Sequence, residues 1–200
     1  MEQRKGWSRV QQALEFLELE LETASMTLGK KSPETIDLER KLCLACCKQG
    51  AALMDEGDWV SSLNILRRAE ALSVRYADLQ LEVFETLALY YGGTGKHLRA
   101  LSYLDRLWLL TPESPLGRAK LHLNYCAILS QLSKHDQAQT HALKAVFLLQ
   151  DLVILQSLRG LDLAETELET LASAYYNLAV EQEYLHEVCL YIVPRSEEMA

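Results

Sequence analysis

Four prolines and nine glycines in 200 residues leave little punctuation for tight turns. No segment alternates apolar and polar side chains with the period of two that a half-buried strand needs. A sheet protein is therefore excluded, and the chain reads as all-α. Basic side chains are also scarce, with 20 Lys and Arg against 28 Asp and Glu and a net charge of −8. A surface that tracks phosphates draws on clustered cations, so nucleic acid is not an expected partner. No stretch approaches 18 uncharged apolar residues, and no apolar run follows Met1-Glu2-Gln3-Arg4-Lys5. Neither membrane insertion nor a secretory signal is expected, and the chain should be soluble and cytoplasmic.

Chemical motifs are equally thin. The five cysteines are odd in number, with Cys43, Cys46 and Cys47 crowded together and Cys126 and Cys189 remote, which does not suit a disulfide framework. Reduced, buried thiols are expected. The C-x-x-C spacing of Cys43 and Cys46 lacks the second Cys or His pair that a zinc site needs. His97, His122, His135, His141 and His186 are scattered; the repeat positions described below account for the first three, and solvation is expected for His141 and His186. With no Gly-rich phosphate loop, no nucleophile elbow and no paired carboxylates standing out from the glutamates, neither an enzyme nor a cofactor is expected.

What the sequence does contain is a period. Gly57-Asp58-Trp59 precedes Leu63 and Leu66 as Gly95-Lys96-His97 precedes Leu101 and Leu104, and as Ser133-Lys134-His135 precedes Gln139 and Ala142. The spacing from Gly57 to Gly95, and again from Gly95 to Ser133, is 38 residues. Such self-similarity marks stacked helix pairs, none of which can bury its apolar face alone. Trp7, Val10, Leu14, Leu17, Leu21, Ala24 and Leu28 share one helix face. Gly29 suits the left-handed residue that closes that helix, and Ser32-Pro33-Glu34 supplies an N-cap, a first-turn proline and an acid for the next. Further helices are predicted over about 33–56, 58–76, 78–94, 96–111, 115–132, 134–159 and 162–185, with Pro112 and Pro115 in a loop.

These residues resemble the tetratricopeptide repeat. The second full repeat reads Phe84, Leu87-Ala88, Tyr91, Ala100, Leu104 and Pro112; the first reads Cys46, Gln49-Gly50, Leu53, Ser62, Leu66 and Ala69. The third reads His122, Tyr125-Cys126, Leu129, Ala138, Ala142 and Ala145, and a fourth first-helix reads Tyr175, Leu178-Ala179, Gln182. The linker from Leu28 to Thr35 also resembles the kinesin light chain branch of the family. The resemblance implies a right-handed α-solenoid over 1–193, divided into a half repeat at 3–31, repeats at 32–76, 77–114 and 115–160, and an incomplete one at 161–193. A disordered tail is expected over 194–200. Gly50, Ala88, Cys126 and Ala179 are expected to be small where paired helices approach closely.

By the same resemblance the function is that of a non-enzymatic adaptor or scaffold that holds a peptide or helix in a concave groove. Asn124 and Asn177 match the asparagine that grips a peptide backbone, an amide being both donor and acceptor. Glu82, Glu85, Lys120 and Tyr176 fall on the same implied surface. The carboxylate clamp of chaperone-binding members is not matched, since of its positions only Lys120 fits. The competing reading is a self-assembling structural subunit of a cytoskeletal or ciliary complex.

Two further expectations concern the C-terminal third. The distance from Ser133 to His186 is 53 residues, 15 more than the repeat, which predicts a long hairpin turning at Gly160. The family pattern also calls for a turn after Leu185, and Val188 to Val193 is too short for a complete second helix before Pro194. Self-association through this uncapped end is therefore expected.

Overall fold

Residues that the sequence offers as stops and caps bound nearly every element of the computed structural model. It describes the backbone of residues 2–162 and 164–192 and the side chains of residues 11–162 and 164–186. Eight helices occur among them: α1 (Glu2–Thr27), α2 (Pro33–Asp55), α3 (Trp59–Ser73), α4 (Ala77–Gly93), α5 (His97–Leu110), α6 (Pro115–Gln131), α7 (His135–Leu158) and α8 (Glu165–Ile192). Ser32 caps α2 by accepting from the Thr35 amide, and Ser114 caps α6 by accepting from the Gly117 amide, each with a proline in the first turn. Gly29 follows α1 with φ of +87°. The tail at 194–200, together with Val193, Trp7, Val10 and the Cys189 side chain, lies outside the described residues.

The same turn form closes α2, α4 and α6. Gly57, Gly95 and Ser133 have φ of +80°, +71° and +57°. The next amide in each case reaches back across the turn, Asp58 to the Leu53 carbonyl, Lys96 to that of Tyr91 and Lys134 to that of Leu129, all at 2.8–2.9 Å. A side chain in this left-handed region crowds its own carbonyl, which glycine avoids. Ser133 alone of the three bears that cost. Ser133→Gly should therefore stabilise the chain by about 0.5–1 kcal/mol and Gly95→Ala should destabilise it by about 1 kcal/mol, as read from urea midpoints.

The chain divides into two compact units, Met1–Lys96 and His97–Ala200. In the first, α2 packs against α1, α3 and α4. Gly50 lets α3 come so close that a Cβ there would lie 2.4 Å from Leu66 Cδ2, and the Ser62 hydroxyl donates to the Gly50 carbonyl at 2.8 Å. Trp59 packs over Gly93 and meets Tyr90 edge to face at 5.9 Å. Cys43, Cys46 and Cys47 are buried free thiols, and burial pushes Cys46 up to about 11. That environment keeps Cys46 a small apolar filler and not a nucleophile.

In the second unit α6 packs against α5, α7 and α8, and α7 against α8. Cys126 and Leu129 meet Ala138 and Ala142 in one cluster. Ala119, Ala145, Val146, Leu149 and Ala174 form another. Gly160, with φ of +67°, turns α7 toward α8 as expected. At 24 and 28 residues these two are longer than α5 and α6, at 14 and 17. By length and composition α7 is long and apolar enough to cross a membrane, although Lys144 and Asp151 lie within it and no 18 uncharged apolar residues stand in a row, as the sequence indicates.

Two expectations are corrected here. The turn expected after Leu185 does not form, and α8 continues unbroken to Ile192, because Gln182 to Ile192 contains neither glycine nor proline. Val188 to Ile192 therefore does not fold back as a cap. Ala179, expected in a close helix contact, is exposed, because among the described residues no helix follows α8 to approach it.

Candidate functional site

Lys120 and Asn124 stand one turn apart on α6, Lys120 exposed and Asn124 half-buried. Tyr176, 71% exposed, and the half-buried Asn177 stand on α8. Since α6 and α8 pack together, these four residues lie on two adjoining helices of one unit. Glu82 and Glu85 belong to the first unit, on α4, with Glu82 half-buried and Glu85 exposed.

The second unit also contains a cleft that sequence reading missed. Its volume is about 530 Å³, and it is lined by Asp105, Trp108 and Leu109 of α5, His122 and Tyr125 of α6, and His141 and Lys144 of α7. The Nδ1 atoms of His122 and His141 are 3.0 Å apart, so one ring donates while the other, deprotonated there, accepts. The Trp108 ring lies 5.2 Å from His122, and Tyr125 lies 4.8 Å from His141. The Tyr125 hydroxyl donates to Asp105 Oδ1 at 2.7 Å. Arg118 sits 4.3 Å over Trp108 and donates to its carbonyl at 3.0 Å.

Burial, then the neighbouring His141, Lys144 and Arg118, push His122 down to about 4. Burial and Lys144 also lower His141. Burial first, and then the hydrogen bond to Asp105, raises Tyr125 above its ordinary value. At neutral pH this is an uncharged aromatic and imidazole wall with an acid and a lysine at its rim. Such a wall suits an apolar or aromatic side chain bearing one polar group. Among the described residues no group of three or more His, Cys, Asp or Glu could hold a metal ion.

The depressed imidazoles make stability depend on pH. The unfolded chain takes up protons near pH 6.5 while the folded one resists, so the contribution is complete above that pH and fades as pH falls toward about 4. Between pH 7 and 5 the loss should be about 1–2 kcal/mol. His122→Phe with His141→Tyr, which installs the residues found 38 positions earlier, Phe84 and Tyr103, should flatten that slope in melts followed by circular dichroism.

That equivalence was the signal available in the sequence. Cys46 with Ile65, Phe84 with Tyr103, and His122 with His141 are pairs of the same spacing, and only in the last do both members become histidine. Expected to be solvated, His141 is half-buried against His122 because α7 covers this part of α6. His135, at the start of α7, meets the buried Glu181 at 2.7 Å and stacks on Tyr184 at 4.5 Å. No protein-family model matches the chain, and no curated protein matches it.

Proposed function

We propose that the chain is a tetratricopeptide-like helical repeat and acts as a non-enzymatic adaptor or scaffold that holds a peptide or helix of another protein. The observation that carries this reading is a recurrence at 38-residue intervals. The left-handed turn residue falls at 57, 95 and 133, and burial recurs at Gly50, Ala88 and Cys126, at Leu53, Tyr91 and Leu129, and at Ser62, Ala100 and Ala138. Like turns and like buried positions in each repeat are what stacked helix pairs require. First helices of such pairs line a concave surface. On α6 and α8 that surface offers a cation at Lys120, two amides at Asn124 and Asn177, and an exposed ring at Tyr176, which together suit an extended polypeptide with an acidic or aromatic side chain. Glu82 and Glu85 give the corresponding face of α4 its acidic character.

Asn124→Ala combined with Asn177→Ala tests the reading. Helicity and melting should be nearly unchanged, and titration calorimetry with a partner polypeptide should show binding at least about fivefold weaker, the loss of one or two hydrogen bonds. Unchanged binding with a collapsed melting temperature would assign the asparagines to structure and remove the groove. Light scattering during size-exclusion chromatography separates the adaptor from a self-assembling cytoskeletal or ciliary subunit.

A further inference from the structure

One stripe of α8 differs from its counterparts on α2 and α6 in what covers it. On α2, Cys43, Cys46, Gly50 and Leu53 are buried, and on α6, Ala119, His122, Cys126 and Leu129 are buried. The following helix covers each stripe with residues spaced i, i+4, i+7: Ser62, Leu66 and Ala69 from α3, and Ala138, Ala142 and Ala145 from α7. The matching residues of α8 are Ala172, Tyr175, Ala179 and Gln182, and all four are exposed. Leu168, 50% exposed, extends the stripe toward the start of the helix. The opposite side, with Thr170, Ala174 and Glu181, is buried within the unit. The Tyr175 ring is held ready, because its hydroxyl accepts from Gln150 of α7 at 2.6 Å.

Charge chooses among the helices that could lie there. Residues 160–194 hold Asp162, Glu165, Glu167, Glu169, Glu181, Glu183 and Glu187 and no lysine or arginine. Of these, Glu165, Glu169 and Glu183 are exposed beside the stripe. A second copy laid α8 on α8 would bring acid against acid, which costs affinity, whereas a cationic helix gains from every contact. We infer that this stripe docks a basic amphipathic helix of another protein, which presents alanine or leucine at i, i+4 and i+7 to Ala172, Tyr175 and Ala179 and lysine or arginine to the flanking glutamates. The docked helix takes the place that α7 holds on α6. This surface is independent of the asparagine groove.

The test is fluorescence anisotropy with two labelled synthetic helices. Both carry alanine at i, i+4 and i+7; one has lysine at its remaining positions and the other glutamate. The lysine peptide should bind the full chain at least tenfold more tightly than the glutamate peptide. Tyr175→Gln with Ala179→Gln keeps the net charge and blocks close approach, and it should weaken the lysine peptide at least tenfold with an unchanged circular-dichroism spectrum. Asn124→Ala with Asn177→Ala should leave this binding within twofold, so that loss of the groove and loss of the stripe are told apart. Equal binding of the lysine peptide to the glutamine variant would show attraction to net charge alone and overturn the inference. So would no binding of either peptide, or a wild-type dimer in sedimentation that the glutamine variant converts to monomer.

Discussion

Gly50→Cys should destabilise the first unit by about 2–3 kcal/mol, although by helix propensity replacing a helical glycine with cysteine gains a few tenths of a kcal/mol, about 0.3. The reason is contact. An added Cβ would stand 2.4 Å from Leu66 Cδ2 and 2.7 Å from its Cγ, and Leu66 is fully buried and cannot retreat into solvent. Helix propensity is the smaller effect and loses. At the positions 76 residues later the sizes are exchanged, with Cys126 and Ala142 in one buried cluster. Leu66→Ala alone should cost about 3–4 kcal/mol through the cavity it leaves. The double variant, which copies the second unit's pair, should be more stable than the sum of the two single changes by about 2 kcal/mol. Urea unfolding of the four proteins closes that cycle, and simple additivity would mean that the two helices do not meet as described.

His135→Leu should cost about 3–5 kcal/mol. Glu181 is only 2% exposed, and its described partner is His135, whose Nδ1 lies 2.7 Å away. A carboxylate only accepts, so the imidazole must donate, and removing it strands a buried acid. The contact ties the first turn of α7 to α8 near residue 181, and the His135 stack on Tyr184 is lost with it. His135→Leu with Glu181→Leu should recover most of the stability, since apolar replacement of a whole buried pair is often neutral. If both variants fell equally in urea unfolding, the stacking and not the hydrogen bond would be the stabilising contact.

Elements were far more legible in the sequence than the cleft. Capping serines, first-turn prolines and left-handed glycines act over a few residues, so Ser32, Pro33, Gly29 and Gly160 announced their helix ends directly. Ser133 was found only through its spacing from Gly95, since serine is not a residue that reads as left-handed. Where the family pattern and the local residues disagreed, as after Leu185, the local residues prevailed, and α8 ran on to Ile192. The partnership of His122 and His141, like that of His135 and Glu181, depends on which turn of one helix faces which turn of another. For the first pair that register is set by close packing of α6 on α7 at Cys126, Ala138 and Ala142, and composition carries neither register.

Photo-cross-linking from chosen positions tests the central claim most directly. A benzoylphenylalanine placed in turn at Lys120, at Tyr176 and, as a control, at the exposed Leu98 reports what touches each site when the full chain is expressed in cells and irradiated. The adaptor reading predicts that Lys120 and Tyr176 capture the same protein, that Leu98 does not, and that Asn124→Ala with Asn177→Ala abolishes the capture. Cross-links from Lys120 and Tyr176 only to further copies of this chain, or equal capture from all three positions, would contradict it.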